Sequence, residues 1–193
     1  MDIEFEATFT NIDKDKIRTK LNQLVAKLIK KEFLQKRVVF NLPKGNEISG
    51  GWLRVRDEGD KITMSLKVID GNEIHDQKEI YLKINDFNTA ISFLESMGCR
   101  KKAFQENKRE VWELNGVEIC IDEWPFLEPF VEVEGPSEKK VKEVSELLGF
   151  DYSTALFCAV GTLYNLKYHI PEDIINDQTP EILFDMKNPF NLK

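Results

Sequence analysis

A chain of 193 residues with 41% hydrophobic and 32% charged residues has the composition of one folded globular domain and leaves little room for two. Its 27 Lys and Arg against 34 Asp and Glu give a net charge of −7, which excludes a general electrostatic grip on nucleic acid or anionic lipid. No basic stretch followed by an apolar one opens the chain, and the longest apolar run, Ala155 to Val160, is far below the roughly 20 residues of a membrane span. Cys99, Cys120 and Cys158 are odd in number and contain no CxxC pair, so neither a disulfide framework nor a zinc site is indicated. A cytoplasmic protein with no membrane or nucleic-acid partner is the expectation.

Ile3 to Phe9 alternates strictly, placing Ile3, Phe5, Ala7 and Phe9 on one face and Glu4, Glu6 and Thr8 on the other, as a half-buried strand requires. Ile17, Leu21, Leu24, Val25 and Leu28 then follow the helical period, which predicts a helix from Asp13 to about Lys30 with Asp13 as its cap. A strand over Arg37–Leu42 ends at Pro43-Lys44-Gly45, and Trp52–Arg56 and Ile62–Val68 form a hairpin across Asp57-Glu58-Gly59-Asp60. A further strand spans Gln77–Ile84. Asn85 or Asp86 caps a helix carrying Phe87, Ala90, Ile91, Leu94 and Met97, with Gly98 as its stop.

Asn115-Gly116 between alternating runs marks a hairpin joining Phe104–Leu114 to Val117–Asp122. Phe130–Glu134 is another strand, and a helix over Glu138–Leu148 closes at Gly149. Asp151 to Tyr168 reads as helical. From His169 onward Pro171, Pro180 and Pro189 interrupt a segment of little periodicity, which predicts a tail, residues 169–193, draped over the surface or partly disordered. Eight strands with short turns imply antiparallel pairing in an α+β fold.

The strands share a charge pattern. Glu4 with Glu6, Arg54 with Arg56, Thr63 with Ser65 and Lys67, Glu118 with Cys120 and Asp122, and Glu132 with Glu134 each occupy one parity, and the opposite parity is apolar. A solvated sheet face explains any one strand; repetition over five suggests one common polar interior. Residues two apart on a strand lie roughly 6–7 Å apart on one face, so a Glu-x-Glu pair offers hard oxygen ligands to a divalent ion. Two such pairs repel unless a cation lies between them, which implies Mg²⁺ or Mn²⁺. Arg54, Arg56 and Lys67 suit phosphate oxygens, Arg through its planar fork and Lys as a point charge.

With IEFEATF, WLRVR, TMSLK, KREVW, VEICIDEW and PFVEVEG in this order, the chain resembles the CYTH superfamily, the triphosphate tunnel metalloenzymes, over Ile3 to about Tyr168. The resemblance implies a domain over residues 1–168 in which an antiparallel eight-stranded β-barrel forms a tunnel, with helices packed outside and a triphosphate lying along it. It implies Glu4, Glu6, Glu132 and Glu134 as the metal-binding set, with Asp122 as a further ligand or orienting group. Arg54, Arg56, Lys67 and Arg109 are the implied triphosphate contacts, Lys78 and Lys108 weaker ones, and Glu79 another acidic tunnel residue. Glu4, Glu6, Arg54 and Lys67 are the expected catalytic group.

Two positions depart from the family pattern. Thr8 stands where the first-strand motif has Lys, and Asn107 where a base commonly precedes Arg109. Arg37, on a strand taken to neighbour that of Thr8, is expected either to restore the lost charge as a triphosphate contact or to lie at the rim. Trp52, Trp112 and Trp124 read as packing or rim residues. The expectation is a metal-dependent phosphohydrolase acting on inorganic or organic triphosphate, then a class IV adenylyl cyclase, then a non-catalytic triphosphate binder. A triphosphate-containing small molecule is the expected partner, and a homodimer is left open.

Overall fold

The computed structural model describes residues 1–190. Its chain order is β1 (Asp2–Ile3), β2 (Phe5–Phe9), α1 (Lys14–Gln23), β3 (Lys27–Asn41), β4 (Gly51–Asp57), β5 (Ile62–Ile69), β6 (Gln77–Ile84), α2 (Phe87–Ser96), β7 (Arg100–Leu114), β8 (Val117–Glu123), β9 (Phe130–Gly135), α3 (Glu138–Leu148), α4 (Val160–Tyr168), α5 (Glu172–Asp177) and β10 (Glu181–Ile182). Nine strands follow one another as β1-β6-β5-β4-β3-β7-β8-β9-β2 in a nearly closed antiparallel barrel, with the helices outside.

Closure depends on the first strand, which changes partner at Glu4. Asp2 and Ile3 pair with Glu79 and Lys78 of β6, whereas Phe5–Phe9 pair with β9. The two ends of the sheet are therefore joined by one covalent step. Gln77 fastens the seam: its carbonyl accepts from Glu4 N at 2.9 Å, and its side-chain amide donates to the Glu6 carbonyl at 2.9 Å.

The apolar parity faces outward onto the helices. Ala7, Ile119, Val131 and Val133 pack beneath Leu21 of α1 and Val141 and Val144 of α3. Val38, Phe40 and Val55 pack beneath Ala90 and Leu94 of α2. Asp13 caps α1 by accepting from the amides of Asp15 and Lys16, Asp86 caps α2 through the Thr89 amide, and Gly149 ends α3 in the left-handed conformation at φ 95° that suits glycine.

The helix expected to reach Lys30 stops at Gln23. Val25 turns the chain at φ 58°, and β3 begins at Lys27 because Lys27 and Leu28 pair with Glu113 and Trp112 of β7. Ladder hydrogen bonds along 15-residue β3 and β7 outweigh the local helical period of Leu24, Val25 and Leu28.

Asp151–Tyr168 is likewise not one helix. A 3-10 turn at Tyr152–Thr154 is followed by extended chain, in which Leu156 exchanges two backbone hydrogen bonds with Thr8 at 2.9 and 3.0 Å on the edge of β2 that faces away from β9. The expected draped tail folds instead. Ile170, Ile175, Ile182 and Phe190 are buried with Trp124, Leu163 and Tyr164 in a third apolar cluster. β10 lies parallel to β7 at Phe104 and Gln105, a stretch of β7 beyond the reach of β8. Residues 191–193 of that expectation lie outside the described residues. No helix among the described residues is long and apolar enough to cross a membrane.

Candidate triphosphate-binding tunnel

The inward parity of the barrel carries polar side chains that are nevertheless buried: Thr8, Gln35, Arg37, Thr63, Ser65 and Asn107 are each at most 6% exposed. The barrel also holds a cavity of about 920 Å³, lined by Glu4, Glu6, Glu132 and Glu134 on β2 and β9, by Arg54 and Arg56 on β4, and by Arg37, Lys67, Glu79 and Arg109. That volume is in the range of small-molecule sites.

Strand register explains the grouping. Arg37 stands opposite Arg56, while Glu6 stands opposite Glu134, which stands in turn opposite Glu118. Lys67 lies between Trp52 and Glu79. Bases thus collect on β3 and β4 and acids on β2, β8 and β9, with Lys67 reaching across to Glu4 at 2.7 Å and Arg54 to Glu79 at 3.0 Å. Like charges on directly opposed positions repel, a repulsion that the Arg54–Glu79 pair and the Arg56–Glu58 pair at 2.9 Å offset in part.

The basic group shows this directly. Burial and the neighbouring Arg54, Arg56 and Arg109 press Arg37 well below the ordinary guanidinium range, and burial with Arg56 presses Arg54 down to about 10. Guanidinium groups stay charged in proteins, so these shifts register uncompensated positive charge and a demand for an anion. The Nε atoms of Arg37, Arg54 and Arg56 are buried and have no hydrogen-bond partner among the described residues. Buried donors are almost always satisfied, so three unpartnered Nε atoms on residues of one cavity wall leave unused donor capacity there.

The acidic group mirrors it. Burial, then Glu132, holds Glu6 well above the usual carboxylate range despite Lys67, and burial raises Glu134 as well. Burial raises Glu4 to about 7 although Lys67 opposes it. Glu79 moves the other way: burial is outweighed by a hydrogen bond from Glu4 and by the Arg54 and Lys67 cations.

No three His, Cys, Asp or Glu side chains converge into a preformed metal cage among the described residues. The donor chemistry nonetheless fits the hard divalent cation that the sequence implied. Glu6, Glu132 and Glu134 present carboxylate oxygens to one cavity, and Glu6 and Glu134 remain under-compensated there.

Three expected site residues lie elsewhere. Asp122 has inward parity but is fully buried and does not line the cavity, accepting from Arg109 Nε and Asn107 Nδ2, each at 2.9 Å, so its carboxylate is committed to orienting Arg109. Lys78 points outward to Asp70 at 2.7 Å, and Lys108 to Glu123 at 3.2 Å and the Phe184 ring. Both have the parity opposite to Glu79 and Arg109, and the structure does not bring either to the cavity.

Arg37 lines the cavity rather than the rim, yet β2 and β3 are not neighbours, so the adjacency supposed for Thr8 and Arg37 is absent. Thr8 is sealed by Leu156, and Arg37 donates to Gln35 at 3.0 Å and to Asn107, with its guanidinium 4.4 Å from the Trp124 ring centroid. Asn107, a departure from the family pattern, links Arg37 to Asp122. Trp124 was not expected in the cavity wall, nor Gln35 as a support for Arg37. Parity with Arg37 marks Gln35, whereas nothing in the sequence marks Trp124, which follows the last alternating residues of β8.

A model of the CYTH domain matches residues 3–156. The chain is 27% identical over 154 residues to a protein of Methanocaldococcus jannaschii named as a candidate adenylate cyclase, covering 76% of this chain and 87% of the relative. Among solved structures, a candidate adenylate cyclase from Vibrio parahaemolyticus shares the fold at TM-score 0.72 and 13% identity, over 84% of this chain and 97% of that one. A candidate adenylyl cyclase from Hippeastrum, whose description reports a dominant triphosphatase activity, is similar at TM-score 0.56 and 15% identity, over 88% of this chain and 99% of that one. The domain match over most of the sequence, with a barrel whose charged strand faces turn inward as the motifs implied, places this chain in the CYTH domain family.

Proposed function

We propose that the tunnel binds a triphosphate and hydrolyses its terminal phosphoryl group. The observation that carries this is the enclosure of Arg37, Arg54, Arg56, Lys67 and Arg109 with the acidic set in one cavity, three of the guanidinium groups having a buried unpartnered Nε. Arg54 and Arg56 grip phosphate oxygens from one wall. Arg109, held by Asp122 and Glu132, offers a fixed positive charge to the same chain of phosphates. Lys67, whose charge is maintained against burial by Glu6, stands between the phosphates and the carboxylates. Preorganised charges of this kind cost no reorganisation as charge shifts toward the leaving oxygen.

Glu6, Glu132 and Glu134, with Glu4 beside them, would hold Mg²⁺ or Mn²⁺, which when bound supplies charge neutralisation and activation of water. The barrel wall shields these side chains from most bulk water and so strengthens each of these interactions. The first product would be a diphosphate.

Cyclisation of ATP is the second reading, favoured by the name of the M. jannaschii relative. It needs a ribose hydroxyl delivered to the α-phosphorus and a place for the base; Trp52 and Tyr81 are the aromatic side chains lining the cavity that suit a base. Incubation with inorganic triphosphate, thiamine triphosphate and ATP, each with Mg²⁺ or Mn²⁺, separates the readings. Phosphate release supports the hydrolase, cyclic AMP with pyrophosphate supports the cyclase, and binding without turnover leaves a triphosphate sensor. Failure of all three compounds to bind refutes the tunnel as a triphosphate site.

A further inference from the structure

Residues Phe157 to Thr162, beyond the family match, form part of the cavity wall. They include the amino end of α4, a helix of nine residues. Ala159 occupies its cap position with extended φ and ψ of −78° and 161°, but has no side chain able to cap. The Thr162 amide turns back to the Ala159 carbonyl at 3.0 Å, leaving the amides of Val160 and Gly161 as first-turn donors without intrahelical acceptors. Gly161 brings the backbone close to α5, since a Cβ there would lie 2.8 Å from Asn176 Oδ1.

Two buried side chains of the same wall carry unused donors. Trp124, 3% exposed, has no partner for its indole Nε1, and Arg37, 6% exposed, has none for its Nε. Both line the cavity, and Arg37 lies over the Trp124 ring. Trp124 packs in one cluster with Cys158, Val160 and Leu163 around the start of α4. The first turn of α4, Trp124 and Arg37 thus line one cavity and carry unpaired donors, the kind of group that an oxyanion satisfies.

We propose that the amino end of α4, with Trp124 Nε1 and Arg37, is an oxyanion site that takes one phosphoryl group of the tunnel ligand, a proposal that rests on the tunnel's binding a triphosphate. It adds to the Arg54, Arg56 and Lys67 contacts two backbone donors from outside the matched domain, the amides of Val160 and Gly161. Glu172 of α5 and the acidic set also line this cavity, so the test includes Mg²⁺ to offset their charge.

The test is calorimetric titration of inorganic triphosphate into the full chain with Mg²⁺, alongside thermal melting. Trp124→Phe keeps the ring and removes the N–H, and is expected to weaken binding about tenfold, the scale of one hydrogen bond to a charged group. Ala159→Asp supplies the missing cap together with a competing negative charge. It is expected to weaken binding about tenfold or more while the melting temperature holds or rises, because a capping Asp stabilises a helix. Ala159→Asn, capping without charge, is expected to fall between Ala159→Asp and wild type. Wild-type affinity in either Trp124→Phe or Ala159→Asp overturns the oxyanion site and leaves the tunnel assignment standing. A wild-type protein that binds no triphosphate overturns both.

Discussion

Replacing Arg54 by Met should separate a binding residue from a structural one. Arg54 lies in a buried group with Arg37, Arg56 and Arg109 and has one close anionic partner, Glu79 at 3.0 Å. Removing it strands Glu79, a change that costs about 3–5 kcal/mol when no other partner exists. Here Lys67 and Ser65 also hold Glu79, which puts the cost at the low end of that range. Against it stands relief of repulsion. Arg54 and Arg56 are two apart on one strand, roughly 7 Å, where two like charges at an effective dielectric of about 20 repel by about 2.4 kcal/mol. The loss and the relief nearly cancel, so stability should change by no more than about 1 kcal/mol, or roughly 2–4 °C in melting temperature for a chain of this size. Triphosphate affinity should instead fall about 10- to 100-fold, since each hydrogen bond between charged groups contributes about 1.5–3 kcal/mol. Calorimetric titration with inorganic triphosphate and Mg²⁺, beside thermal denaturation, measures both. A fall in melting temperature above about 8 °C with affinity intact would refute the reasoning and make Arg54 a structural ion-pair residue. The companion double variant Arg54→Met/Glu79→Gln should recover any stability lost through stranding and none of the affinity.

Asp122→Ala should be far more damaging to the fold, because it leaves Arg109 facing Glu132 alone and frees Asn107, with a loss of about 3–5 kcal/mol in chemical denaturation; a loss under about 1 kcal/mol would mean that Asp122 does not anchor Arg109. Ile175→Ala, on α5, should cost about 2–5 kcal/mol as a core truncation, whereas a surface tail would register almost nothing. Glu58 gives a pH signature. Burial raises its pKa, but Arg56 and Lys61 more than offset this and hold it below the ordinary 4.5. A carboxylate depressed in the folded state stabilises the protein above its unfolded pKa, and that contribution is lost as pH falls through the folded value. Wild type should therefore melt above Glu58→Gln at neutral pH, with the gap closing below pH 4.5; a gap that widens on acidification would contradict the assignment.

Alternation along each strand was enough to separate an apolar parity from a charged one, because a strand sends successive side chains to opposite faces whatever surrounds it. That local rule placed Glu4, Glu6, Arg54, Arg56, Lys67, Glu132 and Glu134 on one side of their strands, and the cavity contains them all, together with Arg109, which the family resemblance supplied. The same rule separates Lys78 and Lys108 from Glu79 and Arg109, and their outward ion pairs follow from it. The Asn115-Gly116 hairpin, the Asp13 and Asp86 caps and the Gly149 stop were legible for the same reason: each depends on a few adjacent residues.

Tertiary structure decided what distant partners control. Nothing local to Glu4 shows that the first strand passes there from β6 to β9 and closes the barrel. The helical period through Leu28 yields to β7, a partner more than 80 residues away, because a long ladder outweighs propensity. Asp122 has inward parity but spends its carboxylate on Arg109 and Asn107, a choice fixed by neighbouring strands. The segment after Leu156, including what was expected to be a loose tail, folds because Trp124 and Phe130 offer apolar surface that only the assembled barrel presents. Local sequence sets which way a side chain points; which charges then meet, and which donors remain unpaired, is set by strand register and packing.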